Sequence, residues 1–120
     1  MTVLLVALGA AVGAPLRYLT DRAVQARFGS AFPWGTLTVN VTGSLLLGVV
    51  FGAAADPAVS ALVGTGFCGA FTTWSTFGYE TVRLVRSGAR RAALANVALS
   101  VAAGLGAAWL GFAVAHLLAN

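Results

Sequence analysis

The side chains best suited to handle an ion are gathered in one stretch, Gly66-Phe67-Cys68-Gly69-Ala70-Phe71-Thr72-Thr73-Trp74-Ser75-Thr76-Phe77. Hydroxyls and aromatic rings crowd its second half, while its glycines and β-branched threonines weaken an α-helix. In a lipid setting, irregular backbone persists only where protein covers it or where it lines a watery cavity. A break here is therefore expected at an interface or along a conduction path. Two further polar sets accompany it. Thr36, Asn40, Ser44, Gly48 and Gly52 recur at i+4 on one helix face, and Asn96, Ser100 and Gly104 repeat the pattern later. An amide in hydrocarbon must find partners or water, so Asn40 reads either as interhelical glue or as pore lining. Two such stripes suggest a shared polar path. No catalytic equipment goes with them: one His, one Cys and three widely spaced acids offer no metal cluster, triad or paired carboxylates. An enzyme is not expected.

The elements that carry these residues are membrane spans. Of the 120 residues 59% are hydrophobic and only 8% charged, and the mean hydropathy is +0.91. That excludes an ordinary soluble domain. The charges leave uncharged windows at 1–16, 28–55, 57–79 and 92–120. A span needs about 20 apolar residues, so the first window qualifies only if its helix continues past Arg17. The reading is one all-α transmembrane domain, 1–120, with four helices over 2–24, 34–54, 59–85 and 91–118 and a break in the third near 69–76. The apolar start lacks a basic leader and a small-residue cleavage site, so it is expected to stay in the mature protein. Gly9 and Gly13 form a close-packing face. Arg17 is expected either to snorkel to the interface or to join a buried polar cluster, with Asp21 as a possible partner. Trp34 and His116 read as interfacial, Asp56-Pro57 as a tight turn and buried Cys68 as a small apolar filler.

Charge supplies a topology. All seven basic residues are arginines: Arg17, Arg22 and Arg27 in one group, Arg83, Arg86, Arg90 and Arg91 in the other. With four spans both groups share one side of the membrane, and the positive-inside rule makes that side cytoplasmic, with both termini outside. The net charge of +4 lies on no soluble face with interleaved aromatics, so the expected partner is anionic lipid rather than nucleic acid. Four short helices scarcely enclose a polar path, so an oligomer is expected.

Three motifs resemble those of the small bacterial fluoride channels known as the Fluc or CrcB family: Gly-x-x-x-Gly-Ala-Pro-Leu-Arg-Tyr at 9–18, Gly-Thr-Leu-x-Val-Asn-x-x-Gly at 35–43, and Gly-Phe-Cys-Gly-x-x-Thr-Thr-Trp-Ser-Thr-Phe at 66–77. They occur in order and cover nearly the whole chain; the third is the specific one. The resemblance implies a four-helix subunit of the bacterial plasma membrane that pairs antiparallel with a second copy or a homologue. It implies two fluoride pores and a structural, non-transported Na⁺ at the dimer centre, held by the backbone carbonyls of Gly69 and Thr72. Carbonyls freed from a helical ladder are hard ligands suited to such a cation. The pore residues so implied are Asn40, Trp74, Ser75, Thr76, Phe77, Asn96 and Ser100. Amide and hydroxyl groups there donate hydrogen bonds, and aromatic edges carry the positive part of the ring quadrupole. Arg17 and Glu80 match an arginine and a vestibule acid.

Two departures stand out: Trp74 replaces the family's usual phenylalanine, and the arginines are entirely one-sided. A chain that inserts only one way is expected to pair with an oppositely biased homologue; a homodimer is the alternative. The competing functions are a small multidrug-type exporter, which needs an acid deep in the first span where residues 1–16 have none, and a non-conducting structural subunit, which leaves the polar stripes without a purpose.

Overall fold

The structure, a computed structural model, describes residues 1–119. These are all-helical, with no strand among them. Helix α1 spans Thr2–Phe28 and passes through Pro15. Proline lacks the donor for the preceding turn, yet the helix continues to Gly29, which ends it with φ 80°. Helix α2 (Trp34–Gly52) follows Pro33. The Asp56 carboxylate then accepts from the Ala58 N–H at 3.1 Å and Pro57 takes the first helical position, an N-terminal cap that starts α3 (Pro57–Val59).

The third hydrophobic segment is not one helix. From α3 it passes into a π-helix over Ser60–Cys68 and a single turn, α4 (Gly69–Phe71), then leaves helical geometry at Thr72, which is extended. Helix α5 (Ser75–Arg86) restarts it. Where the sequence suggested an ordinary helix from 59, the chain winds wider, and π-winding of this kind concentrates at functional sites. Gly88, with φ 86°, turns the chain into α6 (Arg90–Ala119).

Among the described residues three helices, α1, α2 and α6, are long and apolar enough to cross a membrane. The longest dimension of the molecule is 47 Å, ample for a hydrocarbon core of about 30 Å. These are the features of a helical, multi-pass membrane protein. Helix α2 is central: 39% of its apolar window is buried, against 11% for α1 and 6% for α6.

Glycines set how closely the helices meet. A Cβ on Gly48 would meet the Ala108 carbonyl, one on Gly52 the Phe112 carbonyl, and one on Gly111 the Leu45 carbonyl. Helices α2 and α6 therefore lie backbone to backbone, running in the same direction. On the other side, Gly9 faces Leu62 and Phe67, and Gly66 faces Val6, so α1 lies parallel to the π-helix at similar range. Lipid tails are as apolar as leucine, so such contacts associate helices by dispersion and close approach rather than by expelling water.

Candidate functional site at the helix break

The break at Thr72–Trp74 is assembled from its own side chains and two distant ones. In a continuous helix the Thr73 N–H would serve the Gly69 carbonyl. Here it donates instead to Asn40 Oδ1 at 2.7 Å, while Asn40 Nδ2 donates to the Thr73 carbonyl at 2.9 Å. The Thr76 N–H, which would have served the Thr72 carbonyl, donates to Thr73 Oγ1 at 3.2 Å and so caps α5. Both the Thr72 N–H and its hydroxyl donate to the Cys68 carbonyl, at 3.0 and 2.7 Å. The Thr72 carbonyl accepts from the Arg17 guanidinium at 3.3 Å. Arg17 thus joins the polar cluster at the break rather than pairing with Asp21, whose Oδ2 accepts from Gln25 at 2.9 Å.

A cavity of about 730 Å³ opens beside the break, between α2, the third segment and α6. It brings together Asn40, Gly69, Thr72, Trp74, Phe77 and Ser100 of the residues singled out from the sequence. The remainder lie elsewhere. Ser75 is exposed at the start of α5. Thr76 and Glu80 line a second, smaller pocket of about 310 Å³ with Gln25, Tyr79 and Arg83. Glu80 Oε1 is buried without a hydrogen-bond partner among the described residues, as is Asp21 Oδ1, which lies against Gly35. Asn96 is fully buried behind the cavity wall, and Arg17 approaches the break from α1. His116 stacks on Phe112, with ring centroids 5.7 Å apart, far along α6 from the break.

The cavity is mainly apolar, with the Asn40 amide and serine and threonine side chains as neutral polar groups in its wall. Trp74 stands against Phe77 with centroids 5.4 Å apart, but Trp74 is 81% exposed and Phe77 only 8%. Asn40 spends one of its two amide hydrogens on Thr73, leaving a second N–H at the cavity wall. The carbonyls of Gly69 and Thr72 have both lost their helical donors, and that of Thr72 accepts from Arg17 instead. A Cβ on Gly69 would meet nothing within 4 Å, so no contact inside this chain requires glycine there.

Two residues that hold the site had escaped the sequence reading. Thr73 is the residue whose peptide Asn40 grips; the threonine three positions before Thr76 is a legible capping signal. Thr81, on α5, carries a bond from Asn96 and has no local signature at all.

The sequence comparisons agree with this geometry. The family described as CrcB-like protein, Camphor Resistance (CrcB), matches residues 4–112. A protein of Frankia casuarinae called fluoride-specific ion channel FluC 1 is 64% identical over 97% of both chains. Proteins of the same name from Streptomyces avermitilis and Thermobifida fusca are 57% identical over 98% of both chains and 51% identical over 94% of both. With its helix break, the amide that braces it and near full-length similarity to these relatives, the chain belongs to the CrcB family.

Proposed function

We propose that this chain is a subunit of a fluoride-selective passive channel that releases fluoride from the cytoplasm. The observation that carries the reading is the cavity at the break, whose wall includes Asn40, Ser100, Trp74 and Phe77 and no charged side chain. Fluoride is small and strongly hydrated, so a selective pore must replace its water with closely spaced donors yet hold it weakly enough to let go. Asn40 offers its uncommitted N–H, Phe77 and Trp74 offer ring edges, and Ser100 offers a hydroxyl further along α6. Ser75 and Thr76 lie at the start of α5, where the path continues toward Glu80.

The α3-to-α5 segment serves as the third of four passes, its break sheltered by α1, α2 and a partner subunit. That partner is an oppositely inserted homologue, paired antiparallel. Exposed Trp74 and unobstructed Gly69 support this, since their surroundings are not supplied by the chain itself. Gly69 and Thr72 would hold a structural sodium ion through their carbonyls, and the ion would supply fixed positive charge that ties two breaks together. Arginines on one side only favour a heterodimer over a homodimer.

Fluoride efflux from liposomes tests the function, with chloride as control, in sodium and in a large organic cation. Flux selective for fluoride, from this chain alone or with an oppositely biased homologue, is the expected result. Silence in both preparations overturns the reading. In cells making this chain alone, a terminal tag reachable from both faces of the membrane would overturn the one-way insertion.

A further inference from the structure

A chain of three hydrogen bonds leads from the cavity wall into the backbone of α5. The Thr81 hydroxyl donates to the Phe77 carbonyl at 2.8 Å. Its hydrogen spent, the Thr81 oxygen can only accept, so it admits the N–H side of the Asn96 amide, which donates at 2.9 Å. That turns Asn96 Oδ1 toward Ser100, whose hydroxyl donates to it at 3.5 Å. Ser100 lines the cavity, whereas Asn96 is 0% exposed. The cavity therefore meets the Ser100 oxygen by its lone pairs, the wrong face for an anion.

We propose that Thr81 is a positioning residue which, through Asn96, keeps the Ser100 hydroxyl turned away from the path until an anion draws it round. This rests on the channel reading above. The link that an arriving fluoride must break is the longest of the three, at the outer limit of a hydrogen bond, while the two shorter links keep Asn96 in place. The donor is thereby available to the ion but not waiting for it. A pore gains from that arrangement, because a permanently presented donor would hold the ion and slow its release.

The test is the fluoride-concentration dependence of flux in liposomes for the wild type, Thr81→Val, Thr81→Ser and Ser100→Ala. Valine matches the shape of threonine but neither donates nor accepts. It frees Asn96 to turn its N–H side to Ser100, whose hydroxyl then points into the cavity. The expected result for Thr81→Val is a fall in half-saturating fluoride of about threefold or more, with maximal flux falling in parallel, in keeping with tighter binding and slower release. Thr81→Ser restores both bonds and wild-type values, and Thr81→Val in the Ser100→Ala background produces no shift. An unchanged half-saturation in folded Thr81→Val, or a serine variant that behaves like valine, overturns the role of Thr81. Should the valine variant fail to assemble, Thr81→Cys is read the same way: its weak thiol lowers half-saturation in the same direction, and wild-type behaviour overturns the proposal. Wild-type liposomes silent to fluoride, with and without an oppositely biased homologue, overturn the channel reading itself and this one with it.

Discussion

Asn40 makes both hydrogen bonds of the Thr73 peptide, accepting its N–H at 2.7 Å and donating to its carbonyl at 2.9 Å. A side chain 33 residues away thus does for the break what the helical turns on either side would have done. Replacing it with leucine strands a peptide N–H and a carbonyl, each worth about 1–3 kcal/mol when buried and unpaired. The expected outcome for Asn40→Leu is a loss of about 2–6 kcal/mol in unfolding from detergent, together with loss of fluoride flux. Asn40→Asp keeps the acceptor for the Thr73 N–H but removes the donor, so it is expected to lose flux while destabilising less. Wild-type unfolding in the leucine variant would contradict the bracing role.

Arg17 reaches the Thr72 carbonyl from α1 through a long, partly buried bond of 3.3 Å. A hydrogen bond of that length to a charged group falls at the weak end of its class. Arg17→Gln is expected to reduce stability by about 1 kcal/mol. Arg17→Lys does not restore it, because an ammonium on a shorter stem lacks the guanidinium's reach and fork. Thermal unfolding of the two variants in one detergent decides this; full rescue by lysine would show that charge alone matters.

Glycines at two places respond in opposite ways. A methyl at Gly48 would occupy the position of the Ala108 carbonyl. Gly48→Ala must then push α2 from α6, an overpacking change expected to cost about 1–3 kcal/mol and to lower the folded yield on size exclusion. A methyl at Gly69 meets open space within the chain. Gly69→Ala should leave helix content and single-chain stability unchanged and, if the proposed sodium-bridged dimer forms, weaken its stabilisation by sodium. Equal loss of folded protein in both variants would contradict the assignment of Gly69 to an intersubunit role.

Trp74 sits mostly in the open beside buried Phe77. Exposed side chains away from packing contacts change stability by about 0.5 kcal/mol or less. Trp74→Phe is expected to unfold like the wild type and to alter the rate of fluoride flux, since the smaller ring changes the width at the path. Changed stability with unchanged flux would place Trp74 in packing instead.

Much of this architecture was open to a reading of the chain alone, for a physical reason. Uncharged windows mark helices because charges are expelled from hydrocarbon, and glycines with threonines mark the break because they weaken helical backbone locally. Neither property depends on what lies across the fold. Of the polar stripe through Asn40, only Asn40 and Ser44 line the cavity, and the motif ending in Phe77 reaches it without Ser75 and Thr76.

Partnership was decided elsewhere. Asn40 read equally well as glue or as pore lining, and the structure gives one amide both positions, gripping the Thr73 peptide while facing the cavity. Arg17 goes to the Thr72 carbonyl rather than to Asp21 on its own helix. Thr81 gained its role only because α6 is rotated to bring Asn96 against it. Local sequence determines whether a segment is helical and which residues share a face. The rotation, register and closeness of two helices depend on glycines and side chains contributed by both, so hydrogen bonds that cross between helices are decided only when the tertiary packing is complete.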